Sequence, residues 1–261
     1  MRPTLLLLAL LAFFPGLAAD DSARRYLGKA DAWFGSAEAK KVADIILTYQ
    51  ADVLECQTAL RQAQPRWVCW VARPVELGTK SAYAIHQLAR DNDSDPYEDF
   101  QWGIITGRTA ELALKLAAPA EPLTIRKVGA STAFASDCVQ SGYWFSEFKA
   151  GEVWVKDGTP LAVKGQGAAD STESIVQRLN ESLTDCFITS GHASETEWQP
   201  GYRYRNGIFT HRDGVLVGKS LDGKIHEVRS PNPKVYLAVG NCLIGNVPKK
   251  EYCMALDWMN T

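Results

Sequence analysis

Short apolar runs bounded by glycine and proline alternate along this 261-residue chain with segments whose apolar residues recur every three or four positions. No other feature constrains the fold as much. A strand followed by an amphipathic helix returns parallel to its neighbour, and both faces of the resulting sheet must then be covered. Trp67–Val71 lies between prolines and reads as a buried strand, and residues 81–89 read as a helix. FQWGIITG (100–107) and LTIRKVGAST (123–132) read as strands, with TAELALKLA (109–117) between them as a helix. CVQSGYWFSEF (138–148) reads as another helix. Asp170 with Glu173 makes a capping-box start to a helix carrying Ile175, Val176, Leu179 and Leu183 on one face. CFITSGH (186–192) and KVYLAV (234–239) read as strands, and YCMALDWM (252–259) opens a closing helix. Nearer the start, residues 30–55 read largely as helix, with Val42, Ile45, Ile46 and Tyr49 at i, i+3, i+4 and i+7.

Residues 197–232 interrupt this alternation. They are rich in glycine, tyrosine and charge, and YRNGIF and LDGKIH carry strand–turn signals, so they read as an inserted hairpin region. The expectation is one α/β domain over residues 20–261, a mainly parallel sheet flanked by helices with a β-hairpin insertion.

Residues 1–19, MRPTLLLLALLAFFPGLAA, read as a secretory signal peptide: one basic residue, an apolar run from Leu5 to Phe14, a Pro-Gly break, then small residues. The run is too short to span a bilayer comfortably, and no second one approaches that length, so the expectation is a secreted or periplasmic protein with no membrane partner after signal removal. Cleavage fits after Ala18 or Ala19. A formal charge of −2 gives no electrostatic reason to expect nucleic acid as a partner.

Export permits disulfides, and the six cysteines are an even number. If one is a free catalytic thiol, at least one other must be free or pair between chains; if all pair, there is no thiol nucleophile. None has a CxxC or zinc-ligand spacing. Two strands nevertheless end in chemically capable residues: His192 just past CFITSG and Cys242 just past VYLAVGN. If these strands are neighbours in a parallel sheet, an imidazole and a thiol meet on one edge, where a histidine can activate a thiol and protonate a leaving amine. The competing reading of Cys242 is a packed thiol or a disulfide, with Cys253 as one partner.

GHASETEW (191–198) resembles the GHGSETAW-type segment of the gingipain family, secreted caspase-like cysteine peptidases. NCLIGNVPKKEYCMALDWM (241–259) resembles the stretch around that family's nucleophile, and DPYEDFQWGIITGRTAELALKLA (95–117) its acidic loop, next strand and next helix. The resemblance implies a caspase-like fold and a cysteine endopeptidase acting on protein or peptide substrates, with no cofactor required. It makes Cys242 the nucleophile, His192 the general acid/base, and the N–H groups of Ala193 and Cys242 the oxyanion donors. Asp137 stands at roughly the point of the family's acidic pocket residue, and Glu195 and Trp198 are candidates for lining the cleft, Trp198 equally for anchoring the core. Glu147 is at best a distant counterpart of the carboxylate that orients the histidine in some members.

The chain also departs from the family. Gly103-Ile104-Ile105 lacks the usual arginine, Ala193 replaces a glycine, and Asn241 precedes the cysteine where a smaller residue is usual. It stops at Thr261, where the family continues into a further strand and loops, so an inactive fragment of a longer peptidase is one alternative. A non-catalytic secreted domain binding through Trp198, Tyr202, Tyr204 and Phe209 is another. In DNDSDPYED (91–99), the alternating Asp91, Asp93 and Asp95 suit a calcium ion, although Pro96 stands where an EF-hand needs glycine.

Overall fold

The computed structural model describes residues 5–10, 45–50, 52–117, 123–181, 183–247 and 253–261. The chain divides into two compact units, residues 1–118 and 119–261.

In the first unit four strands form a parallel sheet: β1 (Leu5–Leu10), β2 (Ile45–Tyr49), β3 (Trp67–Val71) and β4 (Gln101–Ile105), in the order β2-β1-β3-β4. Only β1 is described from the leader segment; the rest of residues 1–19 lies outside the described residues, as does Val42. Ile45, Ile46 and Tyr49 were expected on a helix but belong to β2, because Ile-Ile-Leu-Thr-Tyr favours extended backbone; β2 pairs with β1, which removal of residues 1–19 as a signal peptide would take out of the sheet. The helical pattern resumes only after Asp52, whose carboxylate accepts the N–H of Leu54 while Glu55 accepts the N–H of Asp52. Helices α1 (Gln57–Ala63), α2 (Thr79–Arg90) and α3 (Ala110–Ala117) complete the unit. Its core gathers Leu60, Val68, Trp70, Ile85, Leu88 and Phe100.

The second unit overturns the expected architecture. Its sheet has ten strands and is mixed, not a caspase-like parallel sheet flanked by helices. The strands are β5 (Lys127–Ala130), β6 (Ser141–Phe145), β7 (Glu152–Asp157), β8 (Val163–Gln166), β9 (Cys186–Ala193), β10 (Glu197–Pro200), β11 (Ile208–Arg212), β12 (Val215–Lys219), β13 (Ile225–Glu227) and β14 (Val235–Asn241). Only β6-β5-β9-β14 pair in parallel, three pairings against six antiparallel ones. Two runs of hairpins produce the difference. Residues 138–148 were expected to be helical, yet Ser141–Phe145 is a strand, since Tyr143, Trp144 and Phe145 pair across to Val155, Trp154 and Val153. Among the described residues of this unit only α4 (Thr172–Asn180) and α5 (Met254–Met259) are α-helical. The insertion does form hairpins, β10 through β13.

Helix α4 lays Ile175, Val176 and Leu179 against Phe187 of β9, Trp198 of β10 and Phe209 of β11. Trp198 and Phe209 are wholly buried, with ring centroids 4.7 Å apart. Each such aromatic contributes on the order of 2–3 kcal/mol by burial. The core therefore fixes β9 from one face.

Candidate active site

β9 and β14 are parallel neighbours, so their C-terminal ends share one edge of the sheet. Their register starts with Val235 level with Cys186 and Ala238 level with Thr189; it then shifts by one, so that Asn241 lies level with Gly191. With the shift, Asn241 is the last paired residue of β14, and Cys242 follows directly where the strand ends, one strand across from His192 near the end of β9. The extra residue is accommodated around Gly240, which has φ +72°. A Cβ there would stand 3.1 Å from Ser190 Oγ, so conformation and space both call for glycine.

Asn241 pins the end of β14 to β9. Its amide nitrogen donates to the Thr189 carbonyl at 2.7 Å and hydroxyl at 2.8 Å, and its oxygen accepts from Trp198 Nε1 at 3.1 Å. Thr189 Oγ1 lies 2.9 Å from the Tyr236 hydroxyl, a second tie between the strands. Beyond Asn241 the chain turns sharply, with Leu243 at φ +56°. The Cys242 thiol is exposed and unpaired. His192 is exposed as well, its ring stacked on Tyr202 at 5.2 Å between centroids. No hydrogen bond joins thiol to imidazole among the described residues; in unliganded sites such contacts are often long and tighten with substrate.

The same edge receives the ends of β5 and β6. Ser131 Oγ donates to the Ser190 carbonyl at 3.0 Å and accepts the Ser190 N–H at 2.8 Å. Glu147, two residues past β6, accepts from Thr132 Oγ1 at 2.8 Å and from Ser190 Oγ, and its carbonyl accepts the N–H of Tyr202 at 2.7 Å. Glu147 thus holds both Ser190, two residues before His192, and the backbone of Tyr202, whose ring stacks upon His192. The sequence offered it only as a distant counterpart of an orienting carboxylate; the β-prone aromatic run Tyr143-Trp144-Phe145 was the signal that places it beside this edge.

The other cysteines differ in character. Burial pushes the Cys56 thiol up to about 11, with Glu55 adding to it, and burial also pushes Cys69 up to about 11. Cys186 is shifted upward by burial and by Asp185. Such thiols are poor nucleophiles. Cys253 is buried at the start of α5, and Cys138 is the other exposed cysteine.

The remaining candidates fall in several places. Ala193 ends β9, level with Trp198 of β10. Trp198 is 0% exposed, so it anchors the core and presents no surface to a cleft. Glu195 fastens the loop after Cys242: its carboxylate accepts from Asn246 Nδ2 at 3.1 Å, and its carbonyl accepts the N–H of Met254 at 2.8 Å. Asp137 is exposed in the short helical turn Ser136–Cys138 that follows β5.

In the first unit, Asp93 accepts the N–H of Asp95, and Asp95 that of Tyr97, each at 2.8 Å, while Asp91 caps the end of α2. Burial, with Asp93 close by, raises the Asp99 carboxyl above its ordinary value. Among the described residues no group of three or more histidine, cysteine or carboxylate side chains is arranged to hold a metal ion. No family model, curated protein or solved structure matches this chain.

Proposed function

We propose that this protein is an exported cysteine peptidase in which Cys242 is the nucleophile and His192 the general acid/base. One observation supports the reading: β9 and β14 are adjacent parallel strands, and an exposed imidazole and an exposed thiol stand at their carboxyl ends. Strand ends of this kind are where sheets with parallel strands place their chemistry.

In the reaction the Cys242 proton passes to His192 and the thiolate attacks the peptide carbonyl. The N–H groups of Ala193 and Cys242 receive the developing oxyanion. Collapse breaks the C–N bond, and His192 delivers its proton to the departing amine. Water, deprotonated by His192, then attacks the thioester; the carboxylic acid leaves and the thiol regains its proton. Glu147 and Tyr202 hold the ring in place, and Asn241 holds the nucleophile's strand.

The alternative of a binding domain loses most of its surface. Of its four aromatic residues, Trp198 and Phe209 are wholly buried, and the Tyr204 hydroxyl is committed to the Ser146 carbonyl at 2.8 Å. The test is hydrolysis of a denatured, fluorescently quenched protein by the wild type, Cys242→Ala and His192→Ala. The reading predicts cleavage that Cys242→Ala abolishes and His192→Ala lowers by about a hundredfold or more; cleavage that survives Cys242→Ala contradicts it.

A further inference from the structure

The loop between β10 and β11, Gly201-Tyr202-Arg203-Tyr204-Arg205, is clamped onto the end of β6. Tyr202 and Arg203 both donate their N–H groups to the Glu147 carbonyl, at 2.7 and 3.2 Å, and Tyr204 donates its hydroxyl to Ser146. On this fixed loop Tyr202 stacks against His192, and the Arg203 guanidinium lies 5.3 Å over the ring of Phe148. Tyr202 and Phe148 are themselves 56% and 55% exposed, large aromatic surfaces left to solvent beside the site. Among the described residues no carboxylate pairs with Arg203.

We infer that Arg203 is a specificity residue that binds a carboxylate of the substrate, with Tyr202 and Phe148 as its apolar walls. A guanidinium lying over an aromatic ring is restrained in its rotamers, so it binds a carboxylate at lower entropic cost than a free surface arginine. Arginine and tyrosine together are what recognition surfaces concentrate.

The carboxylate recognised is on an acidic side chain or at the peptide's own C-terminus. The inference relies on the peptidase reading for the location of the site, but its test does not require cleavage.

Full-length Cys242→Ala, with and without Arg203→Met, is titrated by calorimetry with three glycine- and serine-containing hexapeptides. One carries a single glutamate and an amidated end, one a glutamine and an amidated end, and one a glutamine and a free carboxylate. The inference predicts that the first or third binds about five- to tenfold more tightly than the second. High salt and Arg203→Met should each erase that advantage while leaving the neutral peptide's affinity unchanged. An advantage for the first alone assigns the carboxylate to a side chain, and for the third alone to the chain terminus. Equal affinity of all three, an advantage that survives Arg203→Met, or no binding at millimolar peptide overturns the inference. Turnover by the wild type is scored separately, so a failed peptidase and a failed carboxylate site give different results.

Discussion

Gly240→Ala tests whether the shift in β14 is what sets Cys242 beside His192. Alanine would have to adopt φ +72°, at about 1–2 kcal/mol for an L-residue in the left-handed region. Its Cβ would also stand 3.1 Å from Ser190 Oγ. That hydroxyl is held by Glu147, so moving it aside costs a further ~1 kcal/mol in hydrogen bonding. The alternative relaxation removes the shift and moves Cys242 by one residue along β9. If the shift is kept, stability should fall by about 2–3 kcal/mol; if it is lost, iodoacetamide labelling of Cys242 should lose its dependence on His192. Urea denaturation reads the first effect and alkylation mapped by mass spectrometry the second. Gly240→Asn separates the two costs, because asparagine tolerates the left-handed region but retains the Cβ contact; it should recover roughly half of the loss. An alanine variant with unchanged stability and unchanged labelling would show that the shift does not position the thiol.

Trp198→Ala should cost about 3–5 kcal/mol in urea denaturation, since the ring is wholly buried among Phe187, Phe209 and Trp258; a stable variant impaired only in substrate binding would return Trp198 to the cleft. Asp170 should make stability acid-sensitive. Burial alone would raise its pKa, but the Thr172 hydroxyl and the N–H groups of Leu221, Thr172 and Gly207 outweigh burial and hold it below the ordinary carboxylate value. A depressed folded-state pKa means the stabilisation is present above the unfolded value of about 3.9 and is lost as pH falls through the folded one. Asp170→Asn should therefore lower stability near pH 7 and flatten its fall below about pH 4; an unchanged acid limb contradicts this. If residues 1–19 direct export, intact-mass analysis of protein from the extracytoplasmic fraction should give a chain beginning at Ala19 or Asp20, and a full-length mass there would exclude cleavage.

Elements whose local pattern agrees with their surroundings were legible in the sequence. The apolar run Trp67–Val71, the helix at 79–90 and the strands leading to His192 and Cys242 all stand where periodicity and bounding residues put them. Helical spacing in Ile45, Ile46 and Tyr49 misleads because β-branched residues in a short run favour extended backbone over periodicity. CVQSGYWFSEF misleads for the same reason, and with it went the hairpins β6 to β8 and hence the sheet's mixed character. The strand-end positions of Cys242 and His192 could be read locally. Their register could not, because it depends on one extra residue between distant strands. Glu147 and Tyr202 were hidden likewise, each joined to the edge by contacts spanning tens of residues.

The most direct test of the central claim is the rate of Cys242 alkylation by iodoacetamide in the folded, non-reduced protein, followed from about pH 5 to 9 in the wild type and in His192→Ala. The account predicts labelling that is already rapid well below the ordinary cysteine pKa of about 8.5 and that slows when His192 is removed. A Cys242 found in a disulfide, or one that reacts as an ordinary thiol with or without His192, would contradict it.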